Sequence, residues 1–238
     1  MLEIKNLWVG VDNRIILRDI NLKIKKSEIH ALMGPNASGK TTLAKTIIGF
    51  PGFNIIKGKI LFNGKDITNL EMEKRIKLGI SLAFQNPPAI PGIRVKTLLK
   101  TINKNWEEII KELKDPIIEN FLDREINVDF SGGERKYLEL IQVLCQKPKF
   151  VIFDEIDSGI DIERVKGIGK IIKNLFRKSS ILLITHSGAI LDVVRPDKIH
   201  VMINGEIVCS SSSWKKVLRT IRSYGYEKCK KCKLRPDK

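Results

Sequence analysis

Short apolar runs recur along this 238-residue chain, and their spacing separates strands from helices. Leu2-Glu3-Ile4-Lys5-Asn6-Leu7-Trp8-Val9 alternates apolar and polar positions and predicts a half-buried strand. Ile15-Ile16-Leu17 and Leu22-Lys23-Ile24 predict two more, with a turn at Asp12-Asn13, so the chain opens as an antiparallel unit. Residues 29–33, 80–84, 150–153 and 181–184 are predominantly apolar and strand-length, and read as buried core strands. Between them, apolar positions fall at helical spacing over residues 42–48, stopped by Gly49, and again over 71–78 and 135–146. A longer helical pattern over 95–121 breaks at Asp115-Pro116. It predicts a small all-α insertion at about residues 93–130, entered through Asn86-Pro87-Pro88-Ala89-Ile90-Pro91-Gly92. Asn63-Gly64 marks a tight turn, and residues 200–208 predict a closing hairpin. Strands alternating with helices make this an α/β chain. Residues 1–212 form its main unit, and residues 213–238 a basic C-terminal helix and tail.

One stretch gives that alternation its chemistry. Gly34-Pro35-Asn36-Ala37-Ser38-Gly39-Lys40-Thr41-Thr42 matches G-x-x-x-x-G-K-[ST] between a predicted strand and a predicted helix. Gly34 and Gly39 let successive N–H groups turn inward around an anion, and the following helix points its positive end at the same place. Lys40 can reach terminal phosphates, and the Thr41 hydroxyl can take one site on Mg²⁺. The other core strands end in polar groups at the same sheet edge, where parallel sheets bind ligands. Asp154 suits Mg²⁺, and Glu155 suits the base that polarises an attacking water. Gln85 can offer its carbonyl to a metal and its amide to a water, and His186 can hydrogen-bond a γ-phosphate. Ser131-Gly132-Gly133-Glu134 supplies a good N-cap and exposed N–H groups, a second anion-binding arrangement. Ser158-Gly159-Ile160-Asp161 reads as a turn and N-cap. Trp8 can stack on an adenine or pack within its strand, and its setting favours packing.

Composition narrows the class. Apolar residues make up 42% and charged residues 29%, as in soluble globular proteins. No apolar run approaches 18 residues and no apolar segment follows Met1, so neither a membrane span nor an export signal is expected. Four cysteines without a framework of spacings fit a reducing compartment, and the cytosol is the expected location. The net charge of +16 is uneven: ten Lys/Arg against two acids put +8 in residues 214–238. The body is only modestly basic, so nucleic-acid binding is not the expectation. Within the tail, Cys229-Lys230-Lys231-Cys232 offers two thiolates where structural zinc usually takes four ligands. Two tails in a dimer could complete a metal site, but a solvated tail is the simpler expectation. Cys145 and Cys209 read as small packed residues.

Together these motifs resemble those of the ABC-type ATPases over roughly residues 1–212. The Walker A loop at 34–42, Q-loop Gln85, signature 131–134, Walker B strand 150–155, D-loop 158–161 and switch residue His186 stand in the family's order. The resemblance implies an ABC ATPase fold: a P-loop core sheet, an antiparallel β subdomain and a small α-helical insertion. It implies Mg²⁺-dependent hydrolysis of ATP to ADP and phosphate in an ATP-dependent, head-to-tail homodimer. In that dimer Ser131, Gly132, Gly133 and Glu134 of one chain close on the Walker A loop of the other, with D-loop Asp161 beside them. Within the family, Ala83-Phe84-Gln85-Asn86-Pro87-Pro88-Ala89-Ile90-Pro91-Gly92 and Asp154-Glu155-Ile156-Asp157-Ser158-Gly159-Ile160-Asp161 are most similar to the SufC branch, which serves iron–sulfur cluster assembly. That likeness implies a soluble SufB/SufD-like scaffold partner docking beside the Q-loop. The other reading, a motor subunit of a membrane transporter, shares every catalytic residue. Two features depart from the pattern. Ser131 follows Gln85 by 46 residues, a shorter interval than SufC leads one to expect, and Val11 stands where many transporter ATPases place an adenine-stacking aromatic.

Overall fold

The computed structural model describes residues 1–230. It opens on two long antiparallel strands, β1 (Leu2–Val11) and β2 (Arg14–Ile24). The hydrophobic pattern predicts three strands here, but the interruption is a bulge within β2. Asn6 and Asp19 each take φ of 46°, and the ladder shifts register around them. Asn6 Nδ2 donates to Asp19 Oδ1 at 2.8 Å, and the Asn6 N–H donates to Asn21 Oδ1 at 2.9 Å. Side chains therefore satisfy groups that the bulge takes out of the ladder.

The chain then runs through β3 (Ile29–Met33) and α1 (Lys40–Ile48) to the hairpin of β4 (Asn54–Phe62) and β5 (Lys65–Asp66). Asn63 and Gly64 turn that hairpin with φ of 51° and 80°, the double positive φ that matches strand twist. Next come α2 (Met72–Lys77) and β6 (Ile80–Ala83). The predicted proline loop contains a further strand, β7 (Ile90–Arg94), which pairs with β8 (Glu125–Ile126). Between these two lie α3 (Val95–Ile102), α4 (Trp106–Leu113), a 3-10 turn at Pro116–Ile118 and α5 (Glu119–Leu122). The second half carries α6 (Gly132–Cys145), β9 (Phe150–Asp154), α7 (Ile162–Leu175), β10 (Ser180–Ile184) and α8 (Leu191–Val194). It ends with β11 (Lys198–Ile203), β12 (Glu206–Ser211), α9 (Trp214–Tyr224) and α10 (Glu227–Lys230).

The central sheet has the order β12-β11-β3-β10-β9-β6, parallel except at the β12 edge. Its pleat divides the core in two. Ala31, Met33, Val151, Phe153, Ile181 and Leu183 face one cluster, shared with α6 and α7. Their sequence neighbours Leu32, Ile152, Leu182 and Ile184 face the other, shared with α1 and the antiparallel sheet β2-β1-β4-β5. A strand buried on each face needs apolar residues at every position, which is why these runs do not alternate.

Arg75 of α2 is 3% exposed and donates to the carbonyls of Thr46, Ile47, Thr68 and Leu70 at 2.8–2.9 Å. It caps the C-terminal end of α1, where free carbonyls and the helix dipole favour a cation.

The expectation of a solvated C-terminal tail does not hold through residue 230. Trp214, Val217, Leu218 and Cys229 are buried, while Lys215, Lys216, Arg219 and Arg222 face outward. Helical spacing of the apolar residues seats α9 on the body. Cys145 and Cys209 are buried as expected, and burial pushes the Cys145 thiol up to about 11. Cys232 lies outside the described residues. Among those described, no helix is long and apolar enough to cross a membrane.

Candidate nucleotide-binding site

The parallel strands end at one edge, and the residues after β3, β6, β9 and β10 meet there. Residues 34–39 leave β3 and wrap toward the start of α1. A Cβ on Gly34 would overlap the Met202 carbonyl oxygen, so close backbone packing demands glycine there. Ala37 and Gly39 take φ of 59° and 105°, which turns the loop over the N-terminus of α1. Seven consecutive residues of the predicted loop, Asn36 to Thr42, line a cleft of about 810 Å³. Gln85 and Glu155 line it too, together with Val11, Asp12, Arg14 and Ile16 of the opening hairpin and Phe53. Trp8 is not among the lining residues.

Lys40 is buried and folds back over the loop, donating to the carbonyls of Gly34 and Pro35 at 2.9 Å each. Burial lowers its pKa, and Glu155 and Asp154 oppose that shift. Asp154 is 3% exposed, and burial raises its carboxyl pKa against a hydrogen bond from Thr41. Its Oδ1 and the Ser38 hydroxyl are buried without partners. A buried carboxylate oxygen without a donor, beside a threonine hydroxyl, fits a hard divalent cation. No group of three or more His, Cys, Asp or Glu gathers to hold a metal among the described residues. Mg²⁺ usually takes one or two protein oxygens together with phosphates and water, and Asp154 Oδ1 and the Thr41 hydroxyl are oxygens of that kind.

Glu155 follows the end of β9 with φ of 53°. Its N–H donates to the Ile184 carbonyl at 2.9 Å, and its own carbonyl accepts from Lys136 Nζ and from Ser158 Oγ. So fixed, its carboxylate Oε2 accepts from Gln85 Nε2 at 2.5 Å. The two residues predicted to handle the attacking water are therefore hydrogen-bonded to each other across 70 positions of sequence. His186 begins the loop after β10, with its side chain exposed. It lines a neighbouring recess of about 510 Å³ together with Asn36, Glu155 and Ser158.

The signature segment stands elsewhere. Ser131 caps α6: its Oγ accepts from the Glu134 N–H at 3.3 Å, and Glu134 Oε2 accepts from the Ser131 N–H at 2.7 Å. None of Ser131, Gly132, Gly133 or Glu134 lines the cleft or the recess. A Cβ on Gly132 would meet nothing within 4 Å, and its φ is not positive, so its own chain gives no reason for a glycine. Asp161 caps α7, accepting from the Arg164 N–H at 2.9 Å, and it too lies outside the cleft lining.

Sequence reasoning missed three supports of the site. Glu139 of α6 accepts from the Phe84 N–H at 3.0 Å, fixing the residue before Gln85, and burial pushes its carboxyl up to about 7. Lys136 holds the Glu155 carbonyl from the same helix. Asp157 Oδ2 accepts from Thr185 Oγ1 at 2.7 Å and Ser187 Oγ at 2.9 Å, gripping the loop that carries His186. Lysine and glutamate three apart on a mostly apolar helix were the available signal, since charged residues are rarely buried unless paired.

Comparison with known proteins agrees with this geometry. The family described as ABC transporter matches residues 17–158. A protein of Trieres chinensis named "Probable ATP-dependent transporter ycf16" is 42% identical, over 95% of this chain and 96% of its own length. A nucleotide-free ATP-binding cassette from an ABC transporter superposes with TM-score 0.81 at 23% identity, covering 96% of this chain and 98% of that one. A dimeric ATP-binding cassette in a post-hydrolysis state, bound to ADP and Pi, superposes with TM-score 0.75 at 21% identity, covering 89% and 98%.

Proposed function

This chain belongs to the ABC transporter family of ATP-binding proteins, and on that premise we propose that it hydrolyses ATP to drive a soluble iron–sulfur cluster assembly scaffold. The observation carrying the ATPase reading is the single cleft that gathers the phosphate loop, Gln85 and Glu155, with the orphaned Asp154 Oδ1 at the end of the same strand. The N–H groups of residues 36–41 cradle the phosphates at the N-terminus of α1. Lys40 exchanges the Gly34 and Pro35 carbonyls for phosphate oxygens. Thr41 and Asp154, with Gln85 at the rim, would hold Mg²⁺, which would supply neutralisation of phosphate charge. Glu155 orients and polarises the water that attacks the γ-phosphate, and Gln85 positions that carboxylate. His186 donates to the γ-phosphate from the side.

The signature residues complete the site from a second chain. Ser131 Oγ and the N–H groups of Gly132 and Gly133 reach the γ-phosphate across a head-to-tail homodimer, with Glu134 holding the cap and Asp161 facing the partner. Exposure of Ser131 and Gly132 supports that arrangement, as does the dimeric cassette bound to ADP and Pi. ATP closes the dimer and release of phosphate reopens it, a stroke that moves whatever is bound beside the Q-loop.

The scaffold reading rests on residues 83–92, which resemble SufC. The β7 strand, which begins within them, exposes Ile90 and Ile93 at 37% and 41%, an apolar patch suited to a SufB/SufD-like protein. The relatives are named as an ATP-dependent transporter and an ABC transporter ATP-binding protein, and a second reading, the motor subunit of a membrane transporter, accords with those names. Affinity purification of the native chain beside an Ile93→Asp control separates the two. A soluble scaffold that co-purifies with the native chain and is lost from the control supports the first; a polytopic membrane protein replaces it with the second. For the ATPase itself, Glu155→Gln is expected to bind ATP normally and lose at least about 100-fold in turnover. Rapid hydrolysis by that variant would remove Glu155 from the mechanism.

A further inference from the structure

The last described residues return to the nucleotide site, although the basic tail has no part in the function proposed above. Tyr226, between α9 and α10, donates its hydroxyl to the His186 carbonyl at 3.3 Å. Its ring meets the His186 imidazole edge-on, with centroids 6.5 Å apart and planes inclined at 69°. Burial raises the pKa of the hydroxyl and the Gly34 backbone N–H opposes that shift, so the same oxygen also stands against the first residue of the phosphate loop. One side chain thus joins the start of the loop after β3 to the start of the loop after β10.

A separate contact reinforces the join. Gly188 turns the His186 loop with φ of 68°, and a Cβ there would lie 2.8 Å from Leu218 Cδ1 of α9. Leu218 is 3% exposed, so the helix is seated against the turn rather than passing over it. The Cys229 N–H donates to the Tyr226 carbonyl at 2.9 Å, and Cys229 is buried, which anchors the segment from its far side. With Asp157 holding Thr185 and Ser187 from the opposite side, the His186 backbone is clamped while its ring stays exposed.

We propose that Tyr226 is a positioning residue for ATP hydrolysis: by holding the His186 carbonyl it sets where the imidazole meets the γ-phosphate, and it ties the basic α9–α10 segment to the state of the nucleotide. This rests on the reading of His186 as the γ-phosphate contact. A hydroxyl bond of ordinary strength that acts on the transition state, and not on ground-state binding, changes kcat and leaves KM alone.

The test compares Tyr226→Phe, His186→Ala and the double variant in the full-length chain, by steady-state ATP hydrolysis and thermal unfolding. Phenylalanine keeps the ring and its packing, so folding is preserved. Tyr226→Phe is expected to lose about fivefold in kcat with KM for ATP unchanged. His186→Ala is expected to lose about 100-fold, and the double variant no more than that. Three results overturn the proposal: a Tyr226→Phe kcat equal to the native value, a loss shared equally by KM, or full additivity in the double variant. If His186→Ala hydrolyses at the native rate, the reading of His186 fails first, and the role of Tyr226 fails with it.

Discussion

A Cβ at Gly34 would run into the Met202 carbonyl, and a Cβ at Gly132 would meet nothing within 4 Å. The two glycines stand in two loops that the proposed function brings onto one nucleotide, and their surroundings differ. The phosphate loop is built from below: Met202 and Leu17 lie against it, Arg75 ties down the far end of α1, and buried histidines brace β3. The signature loop is capped by its own helix through the reciprocal bonds of Ser131 and Glu134, with Arg124 against Glu134 and Arg164 against Gly133 on its inner side. The first loop is complete within one chain. The second has empty space on its outer side, where an incoming phosphate would lie.

That contrast predicts a graded series of effects. Arg75→Met removes a donor from four carbonyls, of which Thr46 keeps the Gly49 N–H, and should destabilise the fold by about 3–5 kcal/mol in chemical denaturation. A loss under 1 kcal/mol would mean that water replaces the guanidinium, and that the base of the phosphate loop is less rigid than described. Gly34→Ala should cost about 3 kcal/mol and abolish nucleotide binding, because the obstructing atom belongs to backbone. The change is read by titrating a fluorescent ATP analogue.

The brace under β3 carries a pH signature. His200 Nε2 pairs with His30 Nδ1 at 2.9 Å, and His200 Nδ1 pairs with Ser210 Oγ at 2.7 Å. Burial lowers the His200 pKa from 6.5 to about 3. The unfolded chain therefore takes up a proton below about 6.5 that the folded chain refuses until about 3. Stability from this group is full above that upper value and is lost as pH falls through the window. Glu139, raised to about 7, has the opposite sign over part of the same range, so the comparison must be between variants. From pH 7 to 5 the native chain should lose about 2 kcal/mol relative to His200→Asn. Parallel pH profiles would show that His200 protonates in the folded state.

At the small end, Gly132→Ala should change stability by no more than about 0.5 kcal/mol, since alanine is at least as good a helix former and nothing is in its way. Its ATP turnover should nevertheless fall severalfold while single-chain nucleotide binding holds. Native turnover would leave the empty space at Gly132 without a purpose.

Most of the catalytic edge was legible because it is written locally. A phosphate loop needs nine adjacent residues, and Gln85, Asp154, Glu155 and His186 each stand within two residues of the end of an apolar run. What joins them was not legible. Lys136 meets Glu155 across 19 positions, Tyr226 meets His186 across 40 and Glu139 meets Phe84 across 55, and no periodicity records such pairs. The same limit explains β2. Asp19 interrupts the alternation, and only the facing Asn6 and the neighbouring Asn21 reveal that the strand continues through a bulge. The amphipathic spacing of Trp214, Val217, Leu218 and Ile221 was visible, but the basic residues between them drew the tail toward solvent in the reading.

The central claim is that each site takes its phosphate loop from one chain and its signature from another. Mixing two inactive variants, Lys40→Ala and Ser131→Arg, tests it directly through ATP turnover. Each variant alone spoils every site in its own homodimer, whereas a mixed dimer regains one site built from two intact halves. Recovery toward about a quarter of native turnover is the predicted result, since about half the dimers are mixed and each has one working site of two. A mixture as inactive as its components would contradict the claim and return the whole of catalysis to the single chain.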